Sequence, residues 1–212
     1  MKRLAFFVLI TMALVQGGCT SIDVVLNKKV DVVKKMKKIA VFPFDIKGAG
    51  WGDEFSDAIS HQFFKSGKVD IVEREAIERI LKEQRLSMSG LIEDTQAVRI
   101  GKMLGADVII LGRGSSLRLT DEKRGRDINN LVDTFSLKAI SVEAGDLLFT
   151  VRKEPGPAWD TGYKLMYCCS GTIIWGRQDI LIKSSRYDDI SKQVVKKILL
   201  AFNQIEQEKQ LK

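Results

Sequence analysis

The chain contains 212 residues with a formal net charge of +7, and 45% of the residues are hydrophobic. A chain of this length is in the range of one globular domain. Its basic residues are not interleaved with an aromatic-rich motif of the kind that binds nucleic acid, so nucleic acid is not predicted as a partner.

The first 18 residues carry the pattern of a secretory signal peptide. Residues 1–3 are positively charged at physiological pH, and residues 4–15 form an apolar run broken by a single threonine. At about a dozen residues this run is too short to span a bilayer. Two glycines then precede Cys19, which places the predicted cleavage site directly before that cysteine.

A cysteine in this position resembles the lipobox of bacterial lipoproteins, in which the thiol is acylated and the signal is removed before it. Gly18 fits the position before the cut, whereas Gln16 stands where leucine is usual. The resemblance implies that Cys19 is a lipid anchor carrying fatty acyl chains such as palmitate. Thr20 follows it, where lipoproteins of the inner membrane usually have aspartate, so the outer membrane is predicted. The alternative is a plain signal peptide.

Residues 19–37 are predicted to be the lipid anchor and a basic tether, followed by one α/β domain over residues 38–212. Lysines concentrate at residues 28–29 and 34–38. Two interpretations stay open. The lysines could contact anionic lipid head groups or an acidic polymer, each being worth roughly 1 kcal/mol near a charged leaflet, or they could form a solvated face of the tether.

Short apolar runs alternate with amphipathic segments between residues 38 and 111, which is typical of an α/β domain. Strands are predicted at residues 39–44, 69–72 and 107–111, the last being apolar on both faces and therefore central. Helices are predicted from Asp53 to Gly67, from Glu73 to Leu86, and from a cap at Asp94 or Thr95 to Gly105. The residues predicted to face the core are Phe55, Ala58, Ile59, Phe63, Ile77, Ile80, Leu81, Ala97, Ile100 and Leu104.

The second half of the chain has an antiparallel pattern. Residues 132–142 and 147–152 flank a turn with glycine where a positive φ is needed, which predicts a hairpin. Residues 163–169 and 172–176 predict two further short strands. A helix is predicted from about Asp188 to Gln207, with an apolar stripe of Ile190, Val194, Ile198, Phe202 and Ile205. The predicted fold class is a mixed α/β sheet sandwiched by helices, with C-terminal antiparallel hairpins and a long C-terminal helix.

No motif for catalysis, cofactor or metal is present in the sequence. The single histidine, His61, has no second His or Cys near it, and one histidine rules out most Ser/His triads. The glycine-rich loop 48–52 has Asp53 where the dinucleotide fingerprint needs glycine, and it lacks the Lys-Ser/Thr of a P-loop. Asp53 and Glu54 at a helix N-terminus also repel phosphate. We therefore predict no enzyme activity, no cofactor and no metal, and an exported enzyme is the weakest alternative.

Two cysteines, Cys168 and Cys169, remain if Cys19 carries lipid. Disulfides persist in an oxidising compartment. Adjacent residues of a strand point to opposite faces, so a bond between these two would need a distorted loop. Buried thiols or separate disulfide partners are the better interpretation.

Several short motifs recur in a fixed order along the chain. They lie at residues 38–44 (KIAVFPF), 72–75 (VERE), 80–84 (ILKEQ), 89–91 (SGL), 100–107 (IGKMLGAD) and 111–114 (LGRG). In order and spacing they resemble the CsgG-type lipoproteins, the curli secretion channel family, over roughly residues 38–150. Related α/β domains occur in the TolB N-terminal domain and in outer-membrane activators of penicillin-binding proteins. The resemblance implies a lipid-anchored domain that faces the periplasm.

Pore-forming members of that family insert two hairpins between the core strands, and a membrane strand needs about 9–11 residues of alternating pattern. Here the first insertion point, residues 115–130, contains the charged segment 121–127, and the second, residues 163–176, offers about half the length. The prediction is therefore a non-enzymatic interaction protein of envelope assembly or secretion without its own membrane barrel. The alternative is a subunit of an oligomeric outer-membrane secretion channel for curli-like fibre subunits.

Four aromatic residues, Trp159, Tyr163, Tyr167 and Trp175, are predicted to form a partner-binding patch, because exposed apolar clusters usually mark interfaces. The expected partners are outer-membrane lipid through Cys19 and an envelope protein of secretion, peptidoglycan-synthesis or flagellar machinery. A homo-oligomer is compatible with the same pattern.

Substitution of the anchor gives a direct test. Cys19→Ser should release the protein from the membrane fraction, because acyl chains stabilise membrane binding by about 0.8 kcal/mol per buried CH₂. Labelling with an alkyne fatty acid followed by fractionation measures this. Absence of label in the wild-type protein would show that the lipoprotein prediction is wrong.

Overall fold

The computed structural model describes residues 22–84, 93–121, 126–154, 164–167, 173–176 and 185–210, the backbone alone being described at 119–121, 126–127, 164–167, 173–176 and 209–210. The strands in these ranges are β1 (Ile22–Leu26), β2 (Lys38–Val41), β3 (Asp45–Lys47), β4 (Asp70–Ile71), β5 (Val108–Asp121), β6 (Arg126–Ser141), β7 (Leu147–Lys153), β8 (Lys164–Tyr167) and β9 (Ile173–Gly176). The helices are α1 (Val32–Lys35), α2 (Gly52–Lys65), α3 (Arg74–Glu83), α4 (Asp94–Met103) and α5 (Tyr187–Gln210).

Strands β1 to β7 form one mixed sheet. Its order is β1-β7-β6-β5-β2-β4, and β3 also pairs with β5. Strand β5 runs parallel to β2 and β3 and antiparallel to β6, and β7 is antiparallel to both β6 and β1. Strands β8 and β9 pair with each other in a separate antiparallel hairpin. The predicted mixed sheet and its C-terminal hairpins are confirmed.

Helices cover both faces of the sheet. Alternate residues of β2 enter different cores, because side chains alternate between faces along a strand: Ile39 lies in one core and Ala40 in the other. The first core is closed by α2 and α5 through Phe55, Ile59, Phe63, Ile190, Val194, Ile198 and Phe202. The second is closed by α3 and α4 through Ile77, Leu81, Ala97 and Ile100. The predicted inward faces are confirmed, with Ala58, Ile80, Leu104 and Ile205 only partly buried.

The predicted tether is wrong from Ile22 onward. Strand β1 pairs with β7 along its whole length, from Ile22 opposite Lys153 to Leu26 opposite Phe149. Ile22, Val32 and Met36 are buried, at 5%, 2% and 3% exposure. The segment is rich in lysine, but its apolar residues pair with β7 and fill the core. Full burial of each such side chain stabilises the fold by roughly 1.5–3 kcal/mol.

Two further elements differ from the sequence prediction. Strand β5 does not end near residue 111, because its pairing with β6 continues from Val108–Ser141 out to Asp121–Arg126, with register irregularities between Ser115 and Leu119. Helix α4 is preceded by Glu93, which makes no side-chain capping bond, so neither predicted cap residue caps it. Asp94 instead lies in the first turn, where its negative charge favours the helix dipole.

Glycines of the recurring motifs allow close packing. A Cβ atom at Gly112 would lie 2.5 Å from the ring of Phe44, so the ring rests directly on the backbone of β5. A Cβ atom at Gly101 would lie 2.7 Å from Val142 and 2.9 Å from Ile109, so α4 approaches the sheet closely. These positions of the motif therefore let α4 and the ring of Phe44 pack directly against the central strands.

Arg74, in the motif at residues 72–75, ties α3 to α2. Its guanidinium group lies 2.7 Å from a carboxylate oxygen of Asp53, 2.8 Å from Asp57 and 2.7 Å from Glu78. The hydrogen bond from Arg74 holds the pKa of Glu78 below its usual value. The pairs with Asp53 and Asp57 link α3 to α2, two helices that cover opposite faces of the sheet, whereas Glu78 is on the same helix as Arg74.

The packing at Gly101 predicts a loss of stability on adding one methyl group. Gly101→Ala should lower the free energy of unfolding by about 1–3 kcal/mol through overpacking, even though alanine favours a helix by about 1 kcal/mol. Gly50→Ala is the matched control, because no heavy atom lies within 4 Å of its added Cβ. Urea unfolding of the full chain in detergent measures both, and an unchanged or higher stability of Gly101→Ala would contradict the packing.

Candidate functional site

One end of the sheet collects the segments that carry the predicted site residues, and we call it the anchor end. It is the end at which β1 begins, β7 finishes and the β5–β6 hairpin turns. Cys19 itself lies outside the described residues. Three peptide units separate Cys19 from Ile22, and they reach at most about 11 Å. Lipid on Cys19 would therefore lie close to the start of β1.

The β5–β6 hairpin extends beyond the rest of the sheet at the anchor end. Lys153, at the finish of β7, pairs with Ile22 on one side and with Phe135 on the other. From Phe135, strand β6 extends back to Arg126 while still paired with β5. These nine residue steps correspond to roughly 30 Å of strand, which takes the hairpin past the point where the chain enters the fold.

Trp51 holds the extended part of the hairpin at Asn129. The indole Nε1–H donates to the carbonyl oxygen of Asn129 at 2.6 Å, and the ring stacks on Tyr187 with centroids 5.3 Å apart. Leu131 also forms a β-bridge with Arg186, just before α5. Trp51 and Tyr187 therefore form an aromatic clamp. It joins the hairpin to the start of the C-terminal helix.

Burial and the carboxylates of Asp188 and Glu54 raise the pKa of the Tyr187 phenol. Sequence reasoning treated the loop 48–52 only as a phosphate-loop candidate and missed both members of the clamp. A large aromatic residue between two glycines was the available signal at Trp51. No local signal linked it to Asn129, which is 78 residues away along the chain.

A buried lysine lies at the same end. Lys153 is 8% exposed, and its ammonium group donates to the carbonyl oxygens of Asp133 at 2.5 Å and Glu154 at 3.4 Å. Burial lowers the pKa of Lys153, and the Asp133 carboxylate opposes this shift only in part. Sequence reasoning missed Lys153, although the alternation of Phe149 and Val151 would have placed it on the inward face.

The predicted aromatic patch falls between Glu154 and Ser185. Trp159 and Tyr163 lie outside the described residues, as do Cys168 and Cys169. Tyr167 and Trp175 are on β8 and β9, opposite Ile173 and Leu165, in two strands of the kind that the sequence predicts. The side chains of Tyr167 and Trp175 lie outside the described part of the structure, so the patch stays a prediction. The segment that carries it leaves and rejoins the fold at the anchor end.

The lysine cluster lies at the opposite end of the sheet. Lys38 begins β2 there, and its backbone N–H donates to a carboxylate oxygen of Asp107 at 2.9 Å. Residues 147–153 of β7 separate the two ends by about 20 Å. This distance is more than twice the Debye length, which is about 8 Å at physiological ionic strength. The sheet therefore separates residues 34–38 from the start of β1, and both interpretations of these lysines stay predictions.

The described residues contain neither a membrane-spanning helix nor a cluster of metal-binding side chains. Among these residues, no helix combines the length and the apolar character needed to cross a bilayer. The same residues contain no group of three or more His, Cys, Asp or Glu side chains arranged to hold a metal ion. His61 is exposed on α2.

The fold defines a class of protein: a mixed α/β sheet covered by helices on both faces, whose first strand begins directly after a predicted lipid anchor. Residues 33–118 match the family model described as curli production assembly/transport component CsgG. The resemblance to CsgG-type lipoproteins inferred from the motifs is thereby confirmed. The match covers β2 to most of β5, together with helices α2, α3 and α4.

Solved structures of low sequence identity are similar to parts of this chain. LpoB of E. coli is 15% identical with a TM-score of 0.45, covering 59% of this chain, and this chain spans 64% of LpoB. The PelC dodecamer from Paraburkholderia phytofirmans is 10% identical with a TM-score of 0.39, covering 82% of this chain and 95% of PelC. Lipoprotein GNA1162 from Neisseria meningitidis is 10% identical with a TM-score of 0.42, covering 59% and 88%.

No curated protein sequence matches the chain significantly. The family is therefore indicated by the match of residues 33–118 to the CsgG model.

The buried lysine predicts a pH effect on stability. The folded pKa of Lys153 is below its ordinary value of 10.5, so the cost of burying its charge is present at neutral pH and is lost as pH rises toward 10.5. The unfolding free energy of the wild type should therefore rise relative to Lys153→Met as the solution becomes alkaline. Urea unfolding across this range measures the difference.

Lys47→Met provides the control, because the side chain of Lys47 is exposed, and it is measured over the same pH range. A constant difference for Lys153→Met would contradict the burial of a charged ammonium group.

Proposed function

We propose that this protein is a lipid-anchored, non-enzymatic interaction protein of the periplasmic face of the outer membrane, acting in cell-envelope assembly or secretion. The observation that carries the proposal is the start of β1 at Ile22, three residues after Cys19 and within the sheet. With so short a connection, the anchor holds the domain against the membrane in one orientation.

The CsgG match over residues 33–118 supports an envelope-assembly role. The proposed orientation of the domain on the membrane also indicates where a partner would bind. Both ends of the segment that carries the predicted aromatic patch, at Glu154 and Ser185, lie at the anchor end, as does the β5–β6 hairpin. A partner that binds there would meet the protein next to the membrane surface.

The polar groups described at the anchor end support binding rather than chemistry. The indole N–H of Trp51 and the ammonium group of Lys153 are both directed at backbone carbonyl oxygens. The hydroxyl groups of Ser115 and Thr134 are 2.7 Å apart and bond to each other. These contacts hold strands and loops in place, and a rigid scaffold for the two hairpins is what a docking surface requires.

Site-specific photo-crosslinking in living cells tests the proposal. Benzoylphenylalanine at Tyr167 or Trp175 should give discrete crosslinks to an envelope protein, and these should disappear in the Cys19→Ser background because the domain is no longer held at the membrane. Phe64 on α2 is 68% exposed and serves as the matched position outside the anchor end. Crosslinks of equal strength at Phe64, or crosslinks that persist without the anchor, would contradict the proposal.

A second candidate is a subunit of an oligomeric secretion channel for extracellular fibre subunits. One observation favours it: β5 and β6 stay paired to Asp121 and Arg126, beyond the residues that form the helix-covered sheet. In the same experiment this candidate predicts a ladder of crosslinks between copies of the chain, with no second protein in the main products.

A further inference from the structure

A groove lies at the end of the sheet opposite the anchor end, and we call it the lysine groove. It has a volume of about 440 Å³ and is bounded by α1, the C-terminal end of α4 and the turn between β6 and β7. Its charged lining comprises Lys34, Lys35, Lys37, Lys102, Asp107 and Glu143. Segments far apart in sequence therefore bring four ammonium groups to one depression.

The two carboxylates of the lining leave the lysines in excess. Asp107 accepts the backbone N–H of Lys38 at 2.9 Å, and Glu143 lies 3.7 Å from Lys35 in a pair whose carboxylate is 86% exposed. Outside the lining, Asp31 lies 3.8 Å from Lys34, whose side chain is 86% exposed. Such exposed pairs contribute little to stability. Within the described part of the chain, Lys37 and Lys102 form no ion pair. The groove thus has a local excess of positive charge.

Backbone donors around the groove are already used. The N–H groups of Ala106, Asp107 and Val142 donate to the carbonyl oxygens of Gly101, Lys38 and Asp107 respectively, at 2.8–3.0 Å. An anion in the groove would therefore be held by lysine ammonium groups, which act as hydrated point charges rather than as a fixed cradle. Such a site distinguishes poorly between different small anions. Its affinity is higher for a ligand in which several anionic groups are linked and bind together.

This step rests on the proposed function: with the lipid anchor at Cys19, geometry separates this site from the membrane. The groove and the start of β1 are at opposite ends of β7, about 20 Å apart along the strand, so the field of the leaflet is screened at this distance. An anionic ligand of the groove must therefore come from the solvent side of the domain.

We propose that the lysine groove binds an anionic polymer that carries regularly spaced phosphate or carboxylate groups. The polymer binds the face of the domain that points away from the membrane, while the anchor end is left for the protein partner. The site does not depend on the proposed envelope partner, because it shares no residue with the hairpins or the aromatic patch.

Fluorescence anisotropy of the full chain in detergent tests this site, with fluorescein-labelled polyphosphate and polyglutamate as the two probes. Lys34→Gln/Lys37→Gln/Lys102→Gln should bind the better probe about tenfold more weakly, as expected for the loss of three exposed charge contacts, and with a smaller dependence on salt. The two probes distinguish phosphate from carboxylate as the recognised group.

The control is Lys65→Gln/Lys192→Gln/Lys196→Gln, which removes three exposed lysines from the groove between α2 and α5. Its affinity should change less than about twofold, and circular dichroism should show that both variants melt like the wild type, since exposed charges contribute little to folding. Equal losses in the two variants, or no binding of either probe by the wild type, would overturn the proposal. Binding only to anionic vesicles, measured by flotation of the Cys19→Ser protein, would also overturn it in favour of lipid.

Discussion

The pairing of β5 on both of its sides is the constraint on which the rest of the fold depends. Strand β5 is parallel to β2 and β3 along one edge and antiparallel to β6 along the other. Its first residues alternate between two cores, with Val108 and Ile110 in one and Ile109 in the other, and all three are fully buried. A strand apolar on both faces requires helices on both faces. Gly101 and Gly112 let the α4 helix and the Phe44 ring approach closely enough to provide that cover.

The same strand gives the molecule two different ends. Beyond Gly114 it leaves the two cores and, with β6, forms the hairpin. Trp51, which stacks on Tyr187, holds this hairpin at Asn129. The start of β1 lies at this end, because β1 pairs antiparallel with β7. The opposite end contains the lysine groove. The sheet thus separates the start of β1 from the lysine groove.

Local pattern was sufficient for the elements whose burial is encoded in a short run of residues. The apolar run at residues 107–111 identified the central strand, and the stripe from Ile190 to Phe202 identified the long helix. Local pattern failed for β1, because a segment rich in lysine becomes a strand only through pairing with β7, more than 100 residues later. The contact of Trp51 with Asn129 is likewise non-local. The family resemblance came from motif order, and the structure supplies its reason in the packing at Gly101 and Gly112 and the ion pairs of Arg74.

The orientation of the domain on the membrane is the central claim, and spin-label relaxation tests it most directly. Single labels would be placed at Asn129, at the anchor end, and at Glu143, beside the lysine groove, both of which are exposed. Cys168 and Cys169 would be replaced by serine, and the acylated protein would be reconstituted in bilayers that contain a lipid with a paramagnetic head group. Strong relaxation enhancement at position 129 and little at position 143 is the predicted result. Equal enhancement at both positions, or a stronger effect at position 143, would contradict an anchor that holds the hairpin end against the membrane.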